Sequence, residues 1–159
     1  MFKVGDKVLH PLHGIAIIEQ VEEKEIRGES TNYYILNLFM KKMKIMIPVE
    51  KANDVGIRRL SNSGQVQEAF DVLKSRRTKE VAINWNRRYR HNLDQIKTGD
   101  ICKVAEVLKS LSDKQRRKGL SMGEKKMIEN VRQLMIGEIM HAKKVKQDQA
   151  VNILDKVLH

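Results

Sequence analysis

Through residue 60 the apolar positions fall in short runs of strand length: Lys7-Val8-Leu9-His10, Gly14-Ile15-Ala16-Ile17-Ile18-Glu19-Gln20-Val21, Tyr33-Tyr34-Ile35-Leu36-Asn37-Leu38 and Lys44-Ile45-Met46-Ile47-Pro48. β-Branched and aromatic residues are frequent in them, and turn-forming clusters divide them at Pro11 to Gly14, at Ile26-Arg27-Gly28-Glu29 and at Met40 to Met43. Connections this short leave no room for the crossovers that parallel strands need. The pattern predicts four or five antiparallel strands in a strongly bent sheet or small SH3-like barrel.

From residue 61 the period changes. Val66, Ala69, Phe70 and Leu73 share one helical face, and Trp85, Tyr89, Leu93 and Ile96 share another. Thr98-Gly99-Asp100 then offers a cap for a third helix with Ile101, Val104, Ala105, Val107, Leu108 and Leu111 inward and Cys102 on the same apolar stripe. Ser121-Met122-Gly123-Glu124 has capping-box spacing and predicts a fourth helix to about His141, burying Met127, Ile128, Val131, Leu134, Met135 and Ile139. A last segment carries Ala150, Ile153, Leu154 and Val157. The expected fold is α+β in two domains, a small β domain over 1–60 and an all-α bundle of about five helices over 61–159. The small polar cluster Ser61-Asn62-Ser63-Gly64 reads as the linker.

A chain of 159 residues divided this way has two small cores and no cysteine staple, because Cys102 is its only cysteine. No apolar run approaches the roughly 18 residues that span a bilayer, and Met1-Phe2-Lys3-Val4-Gly5-Asp6 lacks the apolar stretch of a signal peptide, so a cytoplasmic protein without membrane contact is expected. Charge changes the picture most: 31 Lys and Arg against 20 Asp and Glu leave a net of +11. Residues 1–60 hold ten basic and eight acidic residues, and residues 61–159 hold twenty-one and twelve, so the helical part carries most of the excess. A polyanion is the partner such a balance favours.

Catalytic chemistry finds little support. His10 and His13 flank Pro11, but no Cys or acidic cluster nearby completes a metal site. Cys102 on an apolar stripe reads as a small hydrophobe, although Lys103 beside it could lower its pKa. The glycines are scattered among turns rather than gathered into a phosphate-binding loop. No catalytic residue, metal or cofactor is expected, and nothing requires more than a monomer.

The segment from Lys74 to Asn92 differs, with seven basic residues, one acid and the only tryptophan. If Asn84 caps a helix, Trp85 lies in its first turn with Arg87, Arg88 and Arg90 following, at the end whose partial positive charge favours phosphate. Arginine forks suit phosphates, Asn84 and Asn86 add short polar arms, and Trp85 offers a flat surface that can stack on an unpaired base or wedge an opened step. The alternative is that Trp85 and Tyr89 are core aromatics and the arginines a solvated face. A second basic run, Lys114-Gln115-Arg116-Arg117-Lys118, has no aromatic and reads as a solvated loop between helices, with contact to DNA phosphates as the alternative.

In the β domain, Lys24, Arg27, Lys41, Lys42 and Lys44 interleave with Glu19, Glu22, Glu23 and Glu25, a mixture suited to a protein partner. Edges around Lys24 to Ile26 and Lys44 to Ile47 could accept a partner strand, unless the lysines merely guard them from aggregation.

Phe2-Lys3-Val4-Gly5-Asp6-Lys7-Val8, His10-Pro11-Leu12-His13-Gly14, and Ile47-Pro48 through Val55-Gly56-Ile57-Arg58 resemble the N-terminal domain of the CarD family of bacterial transcription regulators. Asn84-Trp85-Asn86-Arg87-Arg88-Tyr89-Arg90, Thr98-Gly99-Asp100, Lys103-Val104-Ala105-Glu106-Val107 and Gly119-Leu120-Ser121-Met122-Gly123-Glu124-Lys125 resemble its C-terminal domain, in the same order. The first pattern is also similar to the polymerase-interacting module of transcription-repair coupling factors.

The resemblance implies a Tudor-like domain that binds the lobe of the RNA polymerase β subunit, partly by strand addition, and a helical domain on promoter DNA at the upstream fork. It implies that Trp85 enters the minor groove at the edge of the melted region and stabilises the open complex. Arg87 and Arg90 fall at basic DNA contacts. Lys24 falls at a basic polymerase contact beside Glu25 and Ile26, with Lys44 and Met46 on the second edge; Met46 stands where relatives can carry Arg. One rival reading is a free-standing basic nucleic-acid-binding protein, architectural or ribosome-associated. Another is an enzyme assembled from His10, His13, His91 and scattered acids.

Overall fold

The computed structural model describes residues 1–39, 41–75 and 84–158, the side chain of Trp85 excepted. Met40, in the last expected turn, and residues 76–83, in the middle of the expected nucleic-acid segment, lie outside the described residues. The chain divides into two compact units, Met1–Leu60 and Ser61–His159.

The first unit is a five-stranded antiparallel sheet: β1 (Lys7–His10), β2 (Gly14–Ile26), β3 (Glu29–Leu38), β4 (Met43–Pro48) and β5 (Arg58–Arg59), in the order β4-β3-β2-β1-β5. A single turn of helix, α1 (Ala52–Val55), ends at Gly56, whose φ of 93° is left-handed, and turns the chain into β5. Arg27 and Gly28 both have positive φ, 56° and 81°, the two-residue turn that matches strand twist and sets Ile26 opposite Glu29. Val8, Ala16, Ile18, Tyr34, Leu36, Leu38, Ile47, Ala52 and Ile57 form the core.

Strand β2 runs five residues beyond the expected Val21, and its alternation is broken on the way. Ile18 opposes Leu36 and Gln20 opposes Ile35, so Glu19 is an extra residue in a bulge. The insertion shifts the parity, leaving Gln20 on the outer face and setting Val21 opposite buried Tyr34.

The second unit holds α2 (Ser63–Lys74), α3 (Trp85–Lys97), α4 (Ile101–Arg117), α5 (Met122–Lys143) and α6 (Gln147–Leu158). The cluster read as a linker is in fact a helix start: the Asn62 side chain accepts from the Gln65 amide, and Gln65 reaches back to the Asn62 N–H, each at 2.9 Å. Short polar residues suit an N-cap as well as a loop, and here the cap wins. Asp100 and Ser121 cap α4 and α5 as the pattern predicts. The expected faces are buried on α2 and α4, but Cys102 lies one position off the α4 stripe and is half-buried. Burial pushes its thiol pKa up, and Asp100, Glu68, Glu106 and Asp71 add to the rise, so the neighbouring lysine does not activate it.

Helix α4 packs against α2, α3 and α5, while α6 packs against α5 and α2. Six consecutive residues of α5, Leu134 to Ile139, are buried, so this part of the helix is enclosed rather than striped. Glu138 among them accepts the Ser61 N–H at 3.3 Å, tying the start of α2 to α5. Among the described residues no helix is long and apolar enough to cross a membrane.

Candidate functional site

Helix α3 begins as its sequence dictates. Asn84 is extended and its side-chain oxygen accepts from the Asn86 N–H at 2.8 Å, while its carbonyl accepts from the Arg88 N–H at 3.0 Å. Trp85 is the first helical residue; the expectation for its side chain lies outside the described residues. Asn84, Asn86, Arg87 and Arg90 are exposed and Tyr89 is half-buried. Among the described residues neither Arg87 nor Arg90 has an acidic partner, so both guanidiniums stand in solvent near the positive end of the helix.

Arg88 separates from them. Spacing of four puts it on one face with buried Asn92 and Ile96, and its Nε donates to Glu124 Oε2 at 3.3 Å. Glu124 is only 2% exposed and collects donors from three elements. Its Oε1 accepts from Lys114 Nζ at 2.6 Å, from Ser121 Oγ at 3.0 Å and from the Ser121 N–H at 3.3 Å. Burial pushes its carboxyl pKa up, but the Lys114 bond, the two Ser121 bonds and the Lys114 charge outweigh it, and the net is a pKa below the ordinary value. The capping box of α5 thereby becomes a clamp on α3 and α4, and the position of Arg88 fixes which way Arg87 and Arg90 face.

The second basic run is helix, not loop. Lys114 to Arg117 close α4 and Lys118 caps it, because cations are favoured where helix carbonyls end. Within it Lys114 serves the clamp and Arg116 pairs with Asp113 at 3.3 Å.

In the first unit the two expected partner-strand segments lie on different flanks. Strand β4 is an outer strand, with Lys44 and Met46 upon it. Lys24, Glu25 and Ile26 end β2, paired to β3 on one side and beyond the reach of β1, whose pairing stops at Ile17. No single added strand can join both. What unites them is a face: with Ile35 opposite both Gln20 and Met46, the register puts Lys24, Ile26, Lys44 and Met46 on the surface away from the core, around Tyr33 and Ile35. Met46 is 40% exposed there, Lys44 pairs with Glu19 at 3.0 Å, and Glu25 falls on the opposite face.

The rings of His10 and His13 lie tilted at 48° to each other with centroids 4.6 Å apart. His10 Nδ1 accepts the Leu12 N–H at 3.0 Å, and Lys41 Nζ lies 3.0 Å from His13 Nδ1, a cation set beside the ring pair. Burial first, then the charges of His13 and Lys41, lower the His10 pKa to about 4. Among the described residues no group of three or more His, Cys, Asp or Glu is placed to hold a metal ion.

Residues 2–61 match the CarD-like/TRCF RID domain, and residues 68–155 match the CarD C-terminal domain. A curated relative from Bacillus subtilis (strain 168), "Putative transcription factor YdeB", is 33% identical over 149 residues, covering 94% of this chain and 97% of the relative.

Proposed function

This chain belongs to the CarD family of transcription regulators, and we propose that it acts by holding RNA polymerase with its β unit and promoter DNA with its helical unit. The partner of the first unit is the lobe of the polymerase β subunit, and its docking surface is the outer face carrying Lys24, Ile26, Lys44 and Met46, with Glu25 on the reverse of the same strand end. The match of this unit to the RID domain supports that half. The DNA is double-stranded promoter at the upstream edge of the bubble, met by Asn84, Trp85, Asn86, Arg87 and Arg90. Arg88 acts one step back, as the residue that anchors the helix.

The observation that carries the DNA half is the start of α3: two arginines with no acidic partner among the described residues project from a capped helix terminus whose other face is tied to the buried Glu124. Trp85, first in that helix, is the wedge. A ring seated in an unstacked step must leave before the bubble can close. Stacking of about 1–3 kcal/mol would slow closure by roughly five- to a hundredfold. A protein holding both polymerase and the fork stabilises the promoter state that presents both, namely the open complex. The effect on output depends on the promoter, since a complex already stable can be hindered in escape. No bond is made or broken, so neither a catalytic group nor a cofactor is needed, and a monomer suffices. The reading puts the protein in the cytoplasm, on the nucleoid with polymerase.

Two arginines are a weak hold, and nonspecific affinity of about micromolar or weaker is the expectation at physiological salt. Fluorescence anisotropy of labelled promoter duplex tests this, with the protein alone and with polymerase present. Binding at least ten times tighter with polymerase is expected. Tight, salt-steep binding to bare duplex or RNA, unchanged by polymerase, would establish the free-standing nucleic-acid binder instead.

A further inference from the structure

The helical unit holds a second concentration of positive charge, lined by no residue of α3. A cavity of about 480 Å³ opens between the end of α2, the later half of α4 and the end of α6. Lys74, Lys109, Arg116 and Lys156 line it, with Asp113 as the acid of the lining. Asp113 pairs with Arg116 at 3.3 Å, and among the described residues Lys74, Lys109 and Lys156 have no acidic partner. Lys109 is the unusual member, 8% exposed and set on the buried side of α4. The stem of Lys109 is packed while its ammonium is not among the buried unpartnered side-chain atoms, so its charge is presented at the cavity alongside three further cations, a grouping that favours an anion.

The dimensions say what kind. A volume of a few hundred Å³ suits a small ligand. Four converging cations, one of them already partnered, exceed what a carboxylate or single phosphate can neutralise. They match a chain of two or three phosphates, and Leu73 and Val157 supply an apolar wall for an attached base. We infer that this cavity is a binding site for a small polyphosphorylated molecule of the nucleoside polyphosphate class, with its phosphates on Lys109 and the flanking lysines.

Thermal-shift and calorimetric titrations of the full chain with ATP and with tripolyphosphate, at ionic strength held constant with sodium chloride, test it. The expected result is saturable stabilisation by both. Affinity should fall at least tenfold in Lys109→Met and in the exposed Lys156→Ala, which keeps the test valid if the buried variant folds poorly, and stay unchanged in Arg87→Ala. Absence of saturable binding would overturn the site, as would an equal shift in every variant, which reports diffuse charge. A Lys156→Ala protein that loses promoter affinity while polyphosphate fails to bind the native protein would make the cavity a seat for DNA backbone and also overturn it.

Discussion

Replacing Glu124 by Gln should destabilise the helical unit by about 2–3 kcal/mol at pH 7. The carboxylate accepts from Lys114 and Arg88, and removing one member of a fully buried ion pair costs about 3–5 kcal/mol. The two cations are 20% and 23% exposed at their side chains, so both can turn partly to water and the loss is smaller. Gln retains the capping box, as Gln65 does in the box of α2, so the substitution isolates the charge. Glu124→Ala removes the cap as well and should add about 1 kcal/mol. Urea denaturation reads this as a lower midpoint with the slope unchanged. pH supplies the sign. The folded pKa lies below the unfolded one, so the stabilisation is complete above the ordinary carboxylate range and is lost as pH falls through the folded value. The gap between native protein and Glu124→Gln should therefore close in acid, where a protonated Glu does no more than Gln. A gap under about 0.5 kcal/mol at pH 7, within the range of an ordinary surface substitution, would refute the clamp; so would one that stays constant as pH falls to 3.

Arg87→Ala and Arg90→Ala should each flatten the dependence of log affinity for promoter duplex on log salt by about 0.9 without changing the urea midpoint; an unchanged slope would remove that arginine from the DNA contact. Met46→Asp should weaken polymerase binding about tenfold or more in a calorimetric titration while leaving thermal stability alone, because the side chain is exposed on the outer face. Equal affinity would move the docking surface elsewhere. The His10 ring should stay neutral until about pH 4 in an NMR titration, so its contribution to stability falls as pH drops from about 6.5 toward 4. A midpoint near 6.5 would contradict the buried, lysine-flanked environment.

The strands and the caps of α3, α4 and α5 were legible because their causes are local: alternation, a two-residue turn, a short polar residue before a period of four; the cap at Asn62 was not, because short polar residues serve a loop equally well. Even the outer face of the sheet was within reach, since a turn at Arg27-Gly28 fixes Ile26 opposite Glu29 and counting back pairs Lys24 with Thr31 and Gln20 with Ile35. The bulge at Glu19 was not, because it exists only relative to a partner strand. Enclosure of α5 from Leu134 to Ile139 likewise depends on which helices surround it, and polar Glu138 hid that run from a reading by stripes. The role of Arg88 was obscured in the same way. Its inward face continues through Asn92, a polar residue, so the arginines read as one solvated group. Glu124 announced a capping box with a partner three positions back, while its ion pairs reach back 10 and 36 positions, beyond any local signal.

The lifetime of open complexes under competitor challenge decides whether the protein holds the bubble open, measured on the source organism's RNA polymerase with no factor, with the native protein and with Trp85→Ala. The account predicts a lifetime lengthened roughly five- to a hundredfold by the native protein and largely restored to the factor-free value by the substitution. A lifetime that neither protein changes would contradict it.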